Sequence, residues 1–167
     1  MQQYDAFIAA GGISPWLQDI CGTPYRCLAV IGGRRLIDYI TDALLGSGCI
    51  RRIVVAAAPE ALTQLEGTLP ASVSLCPAAP TLSGTACDAV QYFGEGCSPK
   101  ILGVCDDIPL LTAAGVQDFL SQCEAYPSGQ LYYPIIPQSA CLEQFPHAQR
   151  TYGRLRDGVF TGGNMML

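Results

Sequence analysis

Lysine is almost missing from this chain: Lys100 is the single lysine, and the other eight of its nine basic residues are arginines. Charge as a whole is sparse, at 14% of 167 residues, and the formal net charge is −5. A broadly acidic surface excludes general affinity for nucleic acid or anionic membrane, because both repel it. A small phosphorylated ligand is not excluded, since it responds to the local field. Arginine presents a fork of donors suited to phosphate, although genomic composition explains the bias more simply. Histidine occurs once, as His147 beside Pro146, and no two cysteines stand in a C-x-x-C pair. That excludes a clustered zinc motif. Nine cysteines (Cys21, Cys27, Cys49, Cys76, Cys87, Cys97, Cys105, Cys123 and Cys141) are an odd number scattered through apolar segments. A secreted disulfide scaffold would be smaller and would pair them, so they read as reduced core residues of a cytoplasmic protein. The stretch Met1–Asp5 is polar and the apolar run after it is short, so neither a signal peptide nor a membrane span is expected. There is also no internal repeat, low-complexity tract or charged linker.

Half of the residues are apolar, enough for one domain with a sizeable core. Strand-like and helix-like segments alternate. Ala6–Ala10 is a short buried strand ending at Gly11-Gly12, and Leu36, Ile37, Ile40, Ala43 and Leu44 recur at helical spacing until Gly46 and Gly48. Ile53–Ala58 reads as a second strand, Pro59 opens a helix to about Leu69, and Val73–Leu75 is a weak third strand. Ala86, Ala89, Val90 and Phe93 mark the next helix, Ile101–Cys105 the clearest strand, and Thr112 caps a helix burying Val116, Phe119, Leu120 and Cys123. Leu131–Ile136 reads as strand, and Tyr152–Thr161 as a hairpin turning at Asp157-Gly158. Alternation of this kind implies a three-layer α/β fold, in which ligands bind beyond the carboxyl ends of the strands. Attention therefore falls on the loops after Ala10, Ala58, Cys105 and the last hairpin strand.

Four constellations could carry chemistry. Ala9-Ala10-Gly11-Gly12 lets backbone N–H groups approach a ligand, yet any tight strand exit uses Gly-Gly, and Ile13-Ser14-Pro15-Trp16 supplies no third glycine for a dinucleotide turn. Asp106-Asp107-Ile108-Pro109 places two carboxylates at the exit of an apolar strand, where Mg²⁺ is their natural partner; the simpler alternative is one capping and one solvated aspartate. Gly84-Thr85 precedes a helix, and Thr85 is the default N-cap or else a nucleobase contact. Thr161-Gly162-Gly163-Asn164 offers a hard oxygen ligand from Asn164, or a plain glycine turn.

In this order the motifs resemble the NTP transferase domain of the nucleotidyltransferases related to molybdenum-cofactor guanylyltransferase and sugar-1-phosphate nucleotidyltransferases. The likeness runs from Phe7 to Asn164: a strand into Ala-Gly-Gly, Tyr25-Arg26-Cys27-Leu28, Gly33-Arg34-Arg35-Leu36-Ile37-Asp38-Tyr39-Ile40 with Ala43-Leu44, Gly84-Thr85, and Asp107-Ile108-Pro109-Leu110. The resemblance implies a Rossmann-like, glycosyltransferase-A-type α/β/α fold with a mostly parallel sheet and a late β-hairpin, filling residues 1–167 as one domain. It implies a nucleoside triphosphate over Ala9, Ala10, Gly11 and Gly12, with Gly84, Thr85 and Asp106 also on the nucleotide. Asp107 and Asn164 would hold Mg²⁺, and Arg26 would stand for the family's lysine. A phosphorylated small-molecule acceptor would attack the α-phosphorus, with pyrophosphate leaving and no covalent nucleophile needed.

The chain also departs from that pattern. Ile13–Ile20 holds no Lys or Arg where family members place a basic residue, and the sequence stops three residues past Asn164 where they usually continue. The alternative function is a degenerate, non-catalytic nucleotide-binding or regulatory domain. A dehydrogenase-type dinucleotide binder is a weaker third reading. Acceptor recognition is expected in Gln138–Arg156, where Arg150, Arg154 and Arg156 lie, although solvated surface arginines are commoner.

Overall fold

The computed structural model describes residues 2–167. In chain order these form β1 (Tyr4–Ala10), α1 (Leu17–Cys21), a 3₁₀ turn (Arg26–Leu28), β2 (Val30–Ile31), β3 (Arg34–Arg35), α2 (Leu36–Gly46), β4 (Ile50–Ala57), α3 (Pro59–Leu65), β5 (Val73–Pro77) and α4 (Leu82–Phe93). β6 (Ile101–Cys105), α5 (Ala113–Glu124), β7 (Ile135–Pro137), α6 (Gln138–Gln144), β8 (Gly153–Leu155), β9 (Gly158–Gly162) and β10 (Met165–Met166) follow. The central sheet has the order β10-β6-β1-β4-β5, parallel except for β10, which runs antiparallel to β6. The chain moves outward from β1 through β4 to β5, then returns across β1 to lay down β6. Strand order therefore reverses between β1 and β6, the position at which an open α/β sheet leaves a crevice.

Period-two alternation builds the two outer layers. Ala6, Ile8, Ala10, Ile53, Val55, Ala57, Leu102 and Val104 face α2, α3 and α5, whose Ile37, Ile40, Leu44, Ala61, Leu65, Val116 and Leu120 complete the main core. Val54, Ala56 and Cys76 face the other way and pack on Phe93 of α4. The fold class is as the sequence implies: a mostly parallel sheet between helices, with a late hairpin.

Gly103 sets the distance between the sheet and one side chain. A Cβ there would lie 2.7 Å from Phe7 Cζ, and Phe7 is itself buried in the neighbouring strand. Gly103→Ala is expected to cost about 1–3 kcal/mol through overpacking, measured by urea unfolding. A variant as stable as the wild type would show that Phe7 moves aside freely.

Several boundaries differ from the sequence reading. α3 ends at Leu65, short of Leu69, because Gly67 takes a left-handed φ of 68° and Pro70 follows. Of Leu131–Ile136 only Ile135 and Ile136 enter a strand, β7, and that strand joins a separate sheet β7-β9-β8. The hairpin turns at Arg156-Asp157, one residue early, with Leu155 opposite Gly158. The thiols are all free; Cys27, Cys49, Cys76, Cys123 and Cys141 are buried, and Cys87 is exposed. Among the described residues no helix is long and apolar enough to cross a membrane.

Candidate functional site

β1 ends in Ala10 and releases the chain at Gly11-Gly12, beside the end of β6, where Ala9 pairs with Cys105. The loop that follows folds back on itself. Ser14 N–H donates to Pro24 O (2.8 Å), Ile13 and Tyr25 form an antiparallel bridge, and Arg26 N–H donates to Gly12 O (3.2 Å). The closure brings Arg26 home to the point of departure, its guanidinium occupying the space that a Cβ on Gly12 would need. A side chain at Gly11 would likewise meet Ala78 Cβ at 2.8 Å. These two glycines are required by close approach, as expected of a turn built to admit a neighbour.

A cleft of about 310 Å³ opens here, lined by Ala9, Gly11, Gly12, Arg26, the Ala78–Leu82 turn, Thr85 and Cys105. Its far wall is the N-terminus of α4. The sequence points to Thr85 as the default cap, but Thr81 performs that role: its Oγ1 accepts from Gly84 N–H at 3.1 Å. Pro80 precedes it, and a helix opening at Leu82 places Thr85 one turn in. There Thr85 is buried, and its Oγ1 accepts from Ala79 N–H at 3.0 Å. Gly84 packs against the same turn, since a Cβ on it would lie 2.9 Å from Ala79 Cβ. Thr81 satisfies one N–H of this helix end, and with no acidic residue in the first turn the positive end of the helix favours an anion.

The two aspartates differ sharply. Asp106 is 0% exposed, and its Oδ1 accepts from Arg26 Nη2 at 2.8 Å. Burial pushes its carboxyl up, and the Asp107 charge adds to this; Arg26 pulls the other way, leaving it at about 6. Asp106 Oδ2 and Arg26 Nε are both buried and without a hydrogen-bond partner. Asp107 is 38% exposed and stands 3.5 Å from Arg26 Nη1. Asn164 adopts a left-handed φ of 58° and is tied to the end of β6 through its carbonyl, which accepts from Cys105 N–H at 3.0 Å. It lines a smaller apolar cavity of about 90 Å³ with Phe7, Leu82, Tyr133, Met165 and Met166, which adjoins the cleft through Ala9, Leu82 and Cys105.

Thus Ala9, Gly11, Gly12, Arg26 and Thr85 share one cleft, and Asp106 and Asp107 reach it through Arg26. Ala10 is buried behind the loop, while Asn164 stands one cavity away. Arg150, Arg154 and Arg156 are exposed and line none of it. Sequence reasoning missed Thr81 and the Ala78-Ala79-Pro80 wall; the signal available was a run of small residues and proline between a strand and a helix. It also missed the buried Asp5 cluster at the opposite end of the sheet.

No family model and no curated protein matches the chain. Solved structures do. A hypothetical transferase from Thermus thermophilus superposes with a TM-score of 0.80 at 28% identity over 99% of this chain and 64% of its own. The 2-C-methyl-D-erythritol 4-phosphate cytidylyltransferase of Thermus thermophilus gives 0.60 at 12% identity, over 99% of this chain and 70% of its own. A CMP:2-keto-3-deoxy-manno-octonic acid synthetase complexed with CTP gives 0.68 at 13% identity, over 99% and 73%. This chain has the fold of the nucleotidyltransferases. The resemblance read from the motif order agrees with these neighbours, and the chain spans 64% of the length of the Thermus transferase.

Proposed function

We propose that this chain transfers a nucleotidyl group from a nucleoside triphosphate to a phosphorylated small-molecule acceptor, releasing pyrophosphate. The observation that carries this is the cleft at the β1–β6 reversal, where Gly11-Gly12, Arg26 and the N-terminus of α4 meet and where Asp107 stands 3.5 Å from Arg26. An acceptor phosphate oxygen attacks the α-phosphorus, the bond from that phosphorus to the bridging oxygen breaks, and pyrophosphate leaves with the electron pair. Chemistry of this kind depends on placement and neutralisation of charge.

The donor set suits Mg²⁺. Asp107 offers an accessible carboxylate, Asn164 in the adjoining cavity carries an amide oxygen, and among the described residues no cluster of three or more His, Cys, Asp or Glu forms a cage. A site of one or two oxygen donors completed by phosphate and water is what Mg²⁺ accepts. When bound, the ion neutralises triphosphate charge. Gly11 and Gly12 offer backbone N–H groups, Arg26 a countercharge, and Thr85 with the Ala78–Leu82 turn closes the wall. Nine free thiols fit a reducing cytoplasm as the place of action.

A second reading, binding without turnover, is favoured by one observation: Ile13–Ile20 carries no basic residue, and Arg26 is already engaged by two carboxylates. The chain incubated with Mg²⁺, each nucleoside triphosphate and a panel of phosphorylated acceptors is expected to release pyrophosphate for one pairing. Stabilisation by a nucleotide in thermal-shift assays, with no release across the panel, would favour the second reading.

A further inference from the structure

We propose that Asp106 is a positioning residue which holds the Arg26 guanidinium over Gly12, so that Arg26 supplies the phosphate countercharge missing from the opening loop. This rests on the nucleotidyl-transfer reading of the cleft.

The geometry assigns the neighbouring carboxylates different tasks. Asp107 is 38% exposed and held only by a loose 3.5 Å contact to Arg26 Nη1. Asp106 is sealed off, and its contact with the outside is the 2.8 Å bond from Arg26 Nη2. A buried carboxylate is expensive to ionise unless a cation stays beside it, so the pair holds each member in place. Arg26 is 34% exposed and lines the cleft, so the buried anchor fixes a guanidinium whose outer edge faces the ligand space. Its Nε is buried against Gly12 without a partner within the chain.

The route by which Arg26 arrives supports the same reading. Fourteen positions separate it from Gly12, yet the loop is clamped by the Ser14–Pro24 bond, the Ile13–Tyr25 bridge and the Arg26–Gly12 bond. Glycine at position 12 is a condition of this arrangement, because a methyl group would lie inside the guanidinium. A salt bridge serving stability alone needs neither cleft exposure nor a glycine beneath the arginine.

The test uses the full chain, with inorganic tripolyphosphate and each nucleoside triphosphate as probes, titrated calorimetrically with Mg²⁺ present. Arg26→Ala and Asp106→Asn are each expected to weaken binding by about tenfold or more, the scale of a lost charge-assisted hydrogen bond. The double variant is expected to bind no more weakly than Arg26→Ala, because the two residues act as one unit. Gly12→Ala keeps both charges but evicts the guanidinium, and is expected to show the same loss. A cooperative thermal transition checks that each variant folds. Wild-type affinity in Asp106→Asn, or losses that multiply in the double variant, overturns the proposal. If the wild type binds none of the probes, the nucleotidyl-transfer reading falls and the countercharge role falls with it. Positioning is then decided on the Arg26 side-chain NMR signals. Separate, slowly rotating Nη resonances in the wild type that average in Asp106→Asn support it, and unchanged resonances overturn it.

Discussion

Asp5→Ala is expected to lower stability by about 3 kcal/mol, the low end for breaking a buried ion pair. Asp5 is fully buried at the start of β1. Its Oδ1 accepts from Arg51 Nε (2.9 Å) and Arg52 Nε (3.0 Å), and its Oδ2 from Arg51 Nη2 (2.9 Å), Arg52 Nη2 (2.8 Å) and Ser98 N–H (2.8 Å). Two consecutive residues of a strand normally point to opposite faces. Here the register slips between Tyr4–Ile50 and Asp5–Arg52, and that irregularity lets both arginines reach one carboxylate. Removing Asp5 strands two like charges side by side and orphans the Ser98 N–H. The guanidiniums remain 38% and 40% exposed, so water relieves part of the repulsion, which is why the low end is chosen. Urea unfolding measures the loss; a change under about 1 kcal/mol would show that the cluster is solvated in practice.

The pH dependence carries the same argument with a definite sign. Burial pushes the Asp5 carboxyl up, but the hydrogen bonds from Arg52, Arg51 and Ser98 outweigh it and hold it well below the usual carboxylate range. Its stabilisation is therefore complete above the ordinary value of about 4 and drains away as pH falls below that. Asp106 has the opposite sign: burial holds it at about 6, so its ionisation costs the ligand-free chain stability as pH rises from about 4 through 6. Stability is expected to pass through a maximum between these limits. Asp106→Asn should flatten the neutral limb, and Asp5→Asn the acidic one.

Local rules explain which parts of this fold were legible in the sequence. Ile101–Cys105 is read correctly because four apolar side chains and a glycine between polar flanks can only be a buried strand at that length. Thr112 is read correctly because a threonine three residues before Gly115 satisfies an orphan N–H locally, at 3.0 Å. Thr81 and Thr85 both fit that pattern, and the choice between them depends on where Ala79 packs. Residues Leu131–Pro134 alternate like a strand but are held by the chain's end, since Tyr132 exchanges both backbone bonds with Leu167. The positions of Arg26 and Asp5 were less accessible still. Each depends on a non-local event, a loop folding back onto Gly12 in one case and a register slip between β1 and β4 in the other. Sequence order set Asp106 and Asp107 together at the exit of β6, but only burial separates the sealed carboxylate from the exposed one.

Asp107→Ala is expected to reduce pyrophosphate release by at least about 100-fold while leaving the fold intact, the scale seen when a preorganised charge contact is removed from a reacting site. The carboxylate is 38% exposed, and its ion-pair contact is a loose 3.5 Å to Arg26 Nη1, so the fold depends on it little. Its deletion also removes a charge that raises the neighbouring Asp106, a small gain for the ligand-free chain. The expected signature is thus opposite to that of Asp5→Ala: melting temperature unchanged or slightly higher, and turnover lost. Asp107→Asn separates charge from shape, because an amide oxygen could still coordinate the proposed Mg²⁺ but would not neutralise it; it should retain part of the nucleotide affinity and little of the turnover. Loss of turnover together with loss of cooperative unfolding would mean that the carboxylate serves the structure. Full turnover in Asp107→Ala would overturn the proposed metal role and leave Asp107 as a solvated loop residue.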